Sequence, residues 1–99
     1  MNIDINIEKI KSFKFSTGIE ITIKRIRNGY SLFRKTDNKP IARLRITDRA
    51  NIFEVMWWSH RDKWEVIGDL GGLFFSLDEA LEYIDKDPID CFWWSFYDL

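Results

Sequence analysis

The feature that most constrains the fold of this 99-residue chain is the stretch Phe53–Ile67, FEVMWWSHRDKWEVI. Its two ends are rich in β-branched and aromatic residues and read as strands, joined across a short polar turn at Ser59–Asp62. Trp57 and Trp58 are adjacent, so on a strand their side chains point to opposite faces of the sheet. The hairpin therefore needs cover on both faces: the core on one, and the N-terminal segment, the C-terminal tail or another chain on the other.

Two more strands are predicted at the start of the sheet. Ile19, Ile21 and Ile23 alternate with polar residues, which is typical of a strand with one buried face. Asn28–Gly29 then predicts a two-residue hairpin turn, because both residue types tolerate positive φ. Residues 30–35 form the returning strand.

The next strand carries a pair of basic residues. It spans residues 41–47, and apolar residues at 42, 44 and 46 alternate with Arg43 and Arg45. The two arginines therefore stand on the face opposite the apolar residues. With the hairpin, these segments make five consecutive strands with short links, which is an antiparallel meander.

The clearest helix signal follows the meander. Ser76 can cap the amide of Glu79, and the Glu79 carboxylate can reach back to the amide of Ser76, a capping box. Apolar residues at 77, 80, 81 and 84 form one stripe, and Asp87–Pro88 ends the helix because the residue before proline avoids the α region. The predicted fold is α+β: an antiparallel β-meander of five to six strands with one C-terminal amphipathic helix packed on a sheet face, in a single domain spanning residues 1–99.

The two ends of the chain are less constrained. Residues 2–15 fit either extended structure or a short helix that ends before Phe13, with Asp4 or Asn6 as its cap. The tail, Cys91–Leu99, contains CFWWSFY and must be buried against the domain or form part of an interface.

Composition excludes several classes of protein. The chain is 45% hydrophobic and 31% charged, as in globular proteins, and no apolar run approaches the ~20 residues that span a bilayer. The N-terminus lacks the features of a signal peptide, and the lone Cys91 cannot form an internal disulfide. We expect a cytoplasmic protein without membrane contact.

Charge is distributed unevenly along the chain. Residues 1–50 hold 12 Lys and Arg against 5 Asp and Glu, whereas residues 51–99 hold 3 against 11. This asymmetry indicates either a basic surface for an anionic partner or two segments that attract each other within the fold or across a dimer.

No catalytic, metal-binding or cofactor-binding set is visible in the sequence. His60 and Cys91 are each the only residue of their type, and His60 lies in a polar turn where a solvated side chain is the ordinary outcome. A zinc site needs about four ligands, and the acidic residues near Asp87 lack the glycine and glutamate of a calcium loop. Gly71–Gly72 lacks the spacing of a phosphate-binding loop. The sequence predicts that the protein is not an enzyme and binds no cofactor.

From Gly18 to Trp94 the sequence resembles a bacterial family of domains of unknown function, number 3024 in that series. The most specific element is Asp87-Pro88 followed by Cys91-Phe92-Trp93, and the next is Lys63-Trp64. The strand pair IEITIKRIRNGYSLFRK, the strand IARLRI, the tryptophan-rich hairpin and the short acidic helix complete the pattern. Glycines expected near the positions of Asp90 and Trp94 are missing. The resemblance implies this order of elements and carries no known activity.

Two binding functions remain. Aromatics make up 16% of the residues, and tryptophan is enriched at interface hot spots. The leading prediction is a non-enzymatic protein-interaction module that binds a protein partner or a second copy of itself as a homodimer. The alternative is single-stranded nucleic-acid binding through a basic, aromatic-interleaved sheet face. The residues predicted to contact a partner are Trp57, Trp58, Trp64, Trp93, Trp94, Arg43 and Arg45.

Overall fold

The computed structural model describes residues 4–68 and 72–93, which form two helices and a six-stranded antiparallel sheet. The helices are α1 (Ile5–Ser12) and α2 (Leu77–Lys86). The strands are β1 (Ile21–Arg25), β2 (Gly29–Arg34), β3 (Pro40–Ile46), β4 (Phe53–Trp58), β5 (Trp64–Val66) and β6 (Leu73–Phe75). Strands β1 to β5 follow chain order, and β6 pairs with β4. The predicted α+β meander with its C-terminal helix is confirmed.

The core lies between the helices and one face of the sheet, here called the helix face. Leu32 pairs with Ala42, and Leu44 pairs with Val55, so these side chains share that face. All four are fully buried together with the apolar stripe of α2 and with Ile10 of α1. Burying one large apolar side chain stabilises the fold by roughly 1.5–3 kcal/mol, so this layer holds the domain together.

Helix α2 begins and ends at the predicted residues. The Ser76 hydroxyl accepts the amide of Glu79 at 3.3 Å, and the Glu79 carboxylate accepts the amide of Ser76 at 3.1 Å. The capping box is confirmed. Beyond Lys86, Asp87 adopts a left-handed conformation with φ of 46°, which stops the helix.

The N-terminal segment is a helix rather than extended structure, and it adds an element that the predicted fold lacked. The Asp4 carboxylate caps α1 by accepting the amides of Asn6 and Ile7. The same carboxylate accepts the hydroxyl of the buried Tyr30 at 3.0 Å, which ties α1 to the helix face. The helix ends at Ser12, before Phe13, as one of the two sequence alternatives required.

Two local predictions were wrong. The β1–β2 turn is formed by Arg27 and Asn28, because the amide of Ile26 donates to the carbonyl of Gly29 at 3.1 Å and Gly29 already belongs to β2. Arg27, rather than the glycine, takes positive φ, at 53°. Residues 73–75, to which the sequence reading assigned no strand, form β6, which pairs with the first half of β4 while β5 pairs with the second half.

Neither described helix has the length and apolar character needed to cross a membrane.

Candidate functional site

The candidate site is the sheet face opposite the two helices, here called the open face. The strand pairing shows which residues belong to this face. They form a central row, a second row beside it and a group of three aromatic residues. The central row runs across the sheet as Lys24, Ser31, Arg43, Met56 and Val66. Arg45, Glu54 and Phe74 form the second row, and Phe33, Trp58 and Trp64 supply the aromatic residues. Neither described helix packs on this face, where Lys24, Val66 and Phe74 are exposed and Ser31 and Glu54 are buried.

Three aromatic rings form a cluster on the open face. Trp58 and Trp64 pair across β4 and β5 with ring centroids 5.1 Å apart, and Phe33 lies 6.4 Å from Trp64. The Lys24 ammonium stands 5.1 Å from the centroid of the Phe33 ring. Edge-to-face pairs at these distances are favourable, so Trp58 obtains much of its cover from Trp64 in the same hairpin. All three rings remain partly exposed.

Arg43 is held in place beside the aromatic cluster. Its guanidinium donates to the Ser31 hydroxyl at 2.8 Å and to the Ile26 carbonyl at 3.0 Å. A side chain at position 29 would meet the guanidinium carbon at 2.8 Å, which explains the glycine there. Desolvation lowers the pKa of Arg43, and the nearby guanidinium groups of Arg27 and Arg45 add to the effect.

Arg45 forms an ion pair with a buried carboxylate. Its Nε and one terminal nitrogen both lie 2.7 Å from the Glu54 Oε1, and the Glu54 side chain is only 6% exposed. Gly72, with φ of 88°, lies directly against the Glu54 carboxylate, where a Cβ atom would collide with it. A buried carboxylate needs such a partner, so this pair fixes Arg45 on the face.

The open face carries three cations, Lys24, Arg43 and Arg45, against one carboxylate, Glu54. On the other side of the sheet, helix α2 exposes the carboxylates of Asp78, Glu79 and Glu82. The two predicted arginines stand on one surface, as the alternation indicated, and the register of β4 against β3 and β5 adds two of the tryptophans, Trp58 and Trp64. The second half of the sequence thus supplies the acidic residues exposed on α2, and the first half supplies the cations of the open face.

The remaining predicted site residues lie elsewhere. Trp57 is on the helix face, with its ring centroid 6.0 Å from that of His60. Trp93 is 2% exposed, packs 5.4 Å from Phe15 and donates its indole N–H to the Ile84 carbonyl at 2.8 Å, so it is a core residue and not a surface anchor. Trp94 lies outside the described residues.

Asp87 is a key residue whose role sequence reasoning missed. Its carboxylate accepts the amides of Cys91, Phe92 and Trp93 at 2.8, 3.2 and 3.1 Å. These bonds turn the chain back onto α2 and seat Phe92 and Trp93 in the core. The spacing in Asp87-Pro88-x-x-Cys91-Phe92-Trp93 was the signal, and its meaning is structural.

His60 and Cys91 line the same cleft, of about 700 Å³, together with Trp57, Glu65 and Asp90. Burial raises the pKa of the Cys91 thiol to about 12, and the carboxylates of Asp87 and Asp90 add to the effect. A nucleophilic cysteine needs a lowered pKa, so the cleft favours an inert thiol. The residues at 4–68 and 72–93 contain no group of side chains suited to hold a metal ion.

The fold and the surface together define a small α+β domain with helices on one sheet face and an aromatic, basic opposite face. The family model described as "Domain of unknown function (DUF3024)" matches residues 8–94, so the chain belongs to that family. Comparisons with curated proteins and with solved structures find no match.

Proposed function

We propose that the domain is a non-enzymatic protein-interaction module that assembles with a second copy of itself, the open face of one copy binding the α2 side of the next. The observation that carries this proposal is the concentration of partly exposed rings and cations on one face, with Arg43 in its central row and Trp58 and Trp64 on β4 and β5. Aromatic residues, methionine and arginine are the residue types enriched in interface cores.

The α2 side of the molecule is complementary to that face. Phe75 and Tyr83 lie 5.3 Å apart beside a shallow hollow of about 380 Å³. The hollow is rimmed by three carboxylates, those of Asp78, Glu79 and Glu82, and by one cation, Lys86, so the rim is acidic on balance. An apolar centre with an acidic rim fits an aromatic centre with a basic rim, and such charge complementarity selects the partner and its orientation.

Two like faces placed against each other are disfavoured by the same charges, because Arg43 and Arg45 of both copies would meet. A face-to-helix contact is heterologous, so it adds copies in a row unless the rotation closes a ring. The expected behaviour is a reversible increase in mass with concentration, strongest at low salt because surface charges are screened above about 0.1 M.

Two charge-reversed variants test the contact. In the first variant, Lys24→Glu reverses the charge at one end of the central row of the open face, and Val66→Glu adds a negative charge at the other end, where the valine is 44% exposed. In the second variant, Asp78→Lys with Glu82→Lys reverses the charge of the α2 side and leaves the Ser76–Glu79 capping box intact. We expect each variant alone to sediment as a monomer, because its two surfaces then carry like charges. An equimolar mixture should associate again as an alternating row, because each surface of one variant meets a surface of opposite charge on the other.

Thr36→Lys is the matched control, because Thr36 is exposed in the turn between β2 and β3 and belongs to neither set of residues. It should self-associate like the unmodified protein. A chain that stays monomeric up to about 1 mM at low salt, or a mixture that fails to pair, would overturn the proposal.

Single-stranded nucleic-acid binding is the second candidate, because Lys24, Arg43 and Arg45 share the face with Trp58 and Trp64. Cationic surfaces with stacking rings bind single strands in a salt-dependent manner. Against this, both arginines already donate to groups of the protein. Fluorescence anisotropy with labelled oligo-dT and oligo-rU at 50 and 200 mM salt decides it: salt-sensitive binding that the Lys24→Glu and Val66→Glu changes abolish would favour this function.

A further inference from the structure

A second surface, independent of the open face, lies at the β1 edge of the sheet. Among the described residues, β2 is the only strand that pairs with β1. The amide of Lys35 donates to the Glu20 carbonyl, and the amide of Ile26 donates to the Gly29 carbonyl. In an antiparallel pair, alternate residues direct their backbone groups to the same neighbour, so even-numbered residues of β1 face β2. The N–H and C=O groups of the odd-numbered residues therefore face outward.

An apolar groove runs beside this edge on the helix face. It has a volume of about 500 Å³ and lies between β1 and the segment that follows α1. Its apolar lining consists of Ile10, Phe13, Phe15, Ile19, Ile21 and Ile23. A strand added at the edge would place alternate side chains over Ile21 and Ile23 and into the groove.

The rim of the groove is basic. Lys11, Lys14 and Lys35 line it with a single carboxylate, Glu20, which stands 3.7 Å from the Lys35 ammonium. The side chains of Lys35 and Glu20 are 66% and 77% exposed, so water screens this pair and both groups can exchange partners. A ligand with apolar residues at alternate positions and carboxylates at its ends matches both the groove and the rim.

A second copy of the chain fits this edge poorly. A second β1 strand would bring the cations Lys24 and Arg25, and no carboxylate, to an edge whose groove rim is already basic. Like charges across a strand pair are destabilising. The charge of the edge and of the groove rim selects an acidic segment instead.

We propose that the β1 edge binds an extended acidic peptide, which pairs with the outward backbone groups of Ile21, Ile23 and Arg25 and seats alternate apolar side chains in the groove. Strand addition of this kind takes affinity from main-chain hydrogen bonds and specificity from the pockets for alternate side chains. The site is distinct from the open face, so it persists whether or not the domain self-associates.

The probe is the acetylated octapeptide Asp-Ile-Thr-Val-Thr-Val-Asp-Glu, labelled for anisotropy. We expect saturable binding that fails for the same peptide with lysines in place of its acidic residues. It should also fail when the amides that face β1 are N-methylated, since methylation removes those main-chain donors and places a methyl group against the strand, and it should persist when the amides that face away are methylated. Binding that survives N-methylation would overturn the strand-addition geometry.

Charge reversal of the protein tests the rim. Lys14→Glu with Lys35→Glu should weaken binding of the octapeptide by about tenfold, because each exposed charge contributes modestly. Lys63→Glu with Lys86→Glu is the matched control: both lysines are exposed and lie outside the groove, and binding should be unchanged. An equal loss of octapeptide affinity in the two double variants would show that only the net charge of the protein matters, and it would overturn the assignment of the binding site to this groove.

Amide hydrogen exchange locates the peptide on the strand. Binding should protect the amides of Ile21, Ile23 and Arg25, while those of Thr22 and Lys24, which already bond to β2, change little. Protection that rises with protein concentration without peptide would identify a second copy as the occupant and overturn the proposal. No binding up to millimolar peptide would overturn it as well.

Discussion

Replacing Asp87 should release the segment that closes the core. Its carboxylate accepts the amides of Cys91, Phe92 and Trp93, while its backbone has φ of 46°, which a residue with a β-carbon adopts at a cost. Asp87→Gly removes the acceptor without adding backbone strain, because glycine adopts the left-handed conformation freely.

The expected loss follows from the number of bonds. Three amides lose a charged acceptor in a partly buried place, at about 1 kcal/mol each, so Asp87→Gly should lower the free energy of unfolding by about 3 kcal/mol. In a domain of this size that corresponds to a fall in Tm of roughly 12–24 °C. Asp87→Asn keeps one acceptor oxygen and should cost about 1 kcal/mol.

Urea unfolding followed by tryptophan fluorescence measures these differences, since Trp93 moves from the core into water. Asp90→Gly is the matched control: Asp90 also has positive φ, at 56°, it is exposed, and its carboxylate accepts no hydrogen bond from the described residues. It should change stability by less than about 0.5 kcal/mol. An Asp87→Gly variant as stable as the Asp90→Gly control, or an Asp87→Asn variant as unstable as Asp87→Gly, would refute the anchoring role.

Three further predictions concern the thiol, one glycine and the helix cap. Cys91 should resist thiol reagents at pH 8 in the folded protein and react quickly in urea. Burial raises the pKa of this thiol from 9.0 to about 12, so the stability that the protonated thiol contributes is complete below pH 9 and is lost as the pH rises towards 12. Rapid labelling of the folded protein at pH 8 would contradict the predicted resistance. Gly72→Ala should destabilise the domain by more than about 1 kcal/mol and by more than Gly68→Ala, because both positions have positive φ but only the alanine at 72 meets Glu54; equal melting temperatures for the two variants would exclude the clash. Ser76→Ala should cost about 1 kcal/mol in urea unfolding by removing the cap of α2, and Ser76→Thr should restore most of it; an unchanged midpoint for Ser76→Ala would count against the cap.

The meander and α2 were predictable from the sequence because their signals are local. Alternating apolar residues assign the faces of β3 whatever strand lies beside it, and this placed Arg43 and Arg45 correctly on the face opposite the helix. The Ser76–Glu79 capping box needs only three residues of chain between its partners, so its geometry is independent of the rest of the fold.

The errors arose where a contact distant in sequence overrode the local signal. Gly29 was assigned to the turn for its freedom of φ, whereas the structure uses it for the space beside the Arg43 guanidinium. Strand β6 has only three residues, too few for an alternation to be recognised, and it exists because β4 offers a free edge beyond the end of β5.

The tryptophans mark the boundary between what the sequence by itself determined and what only the tertiary structure decided. Adjacency placed Trp57 and Trp58 on opposite faces, because successive side chains of a strand alternate. Which one faces the helices, and that Trp58 is covered by Trp64 in its own hairpin, depended on the register of β4 against β3 and β5. Trp93 went into the core for a similar reason: the Asp87 carboxylate redirects the chain at a point where composition alone indicates only an aromatic run. The face to which a strand residue points depends on a few neighbouring residues, whereas the burial of its side chain depends on every element that packs around it.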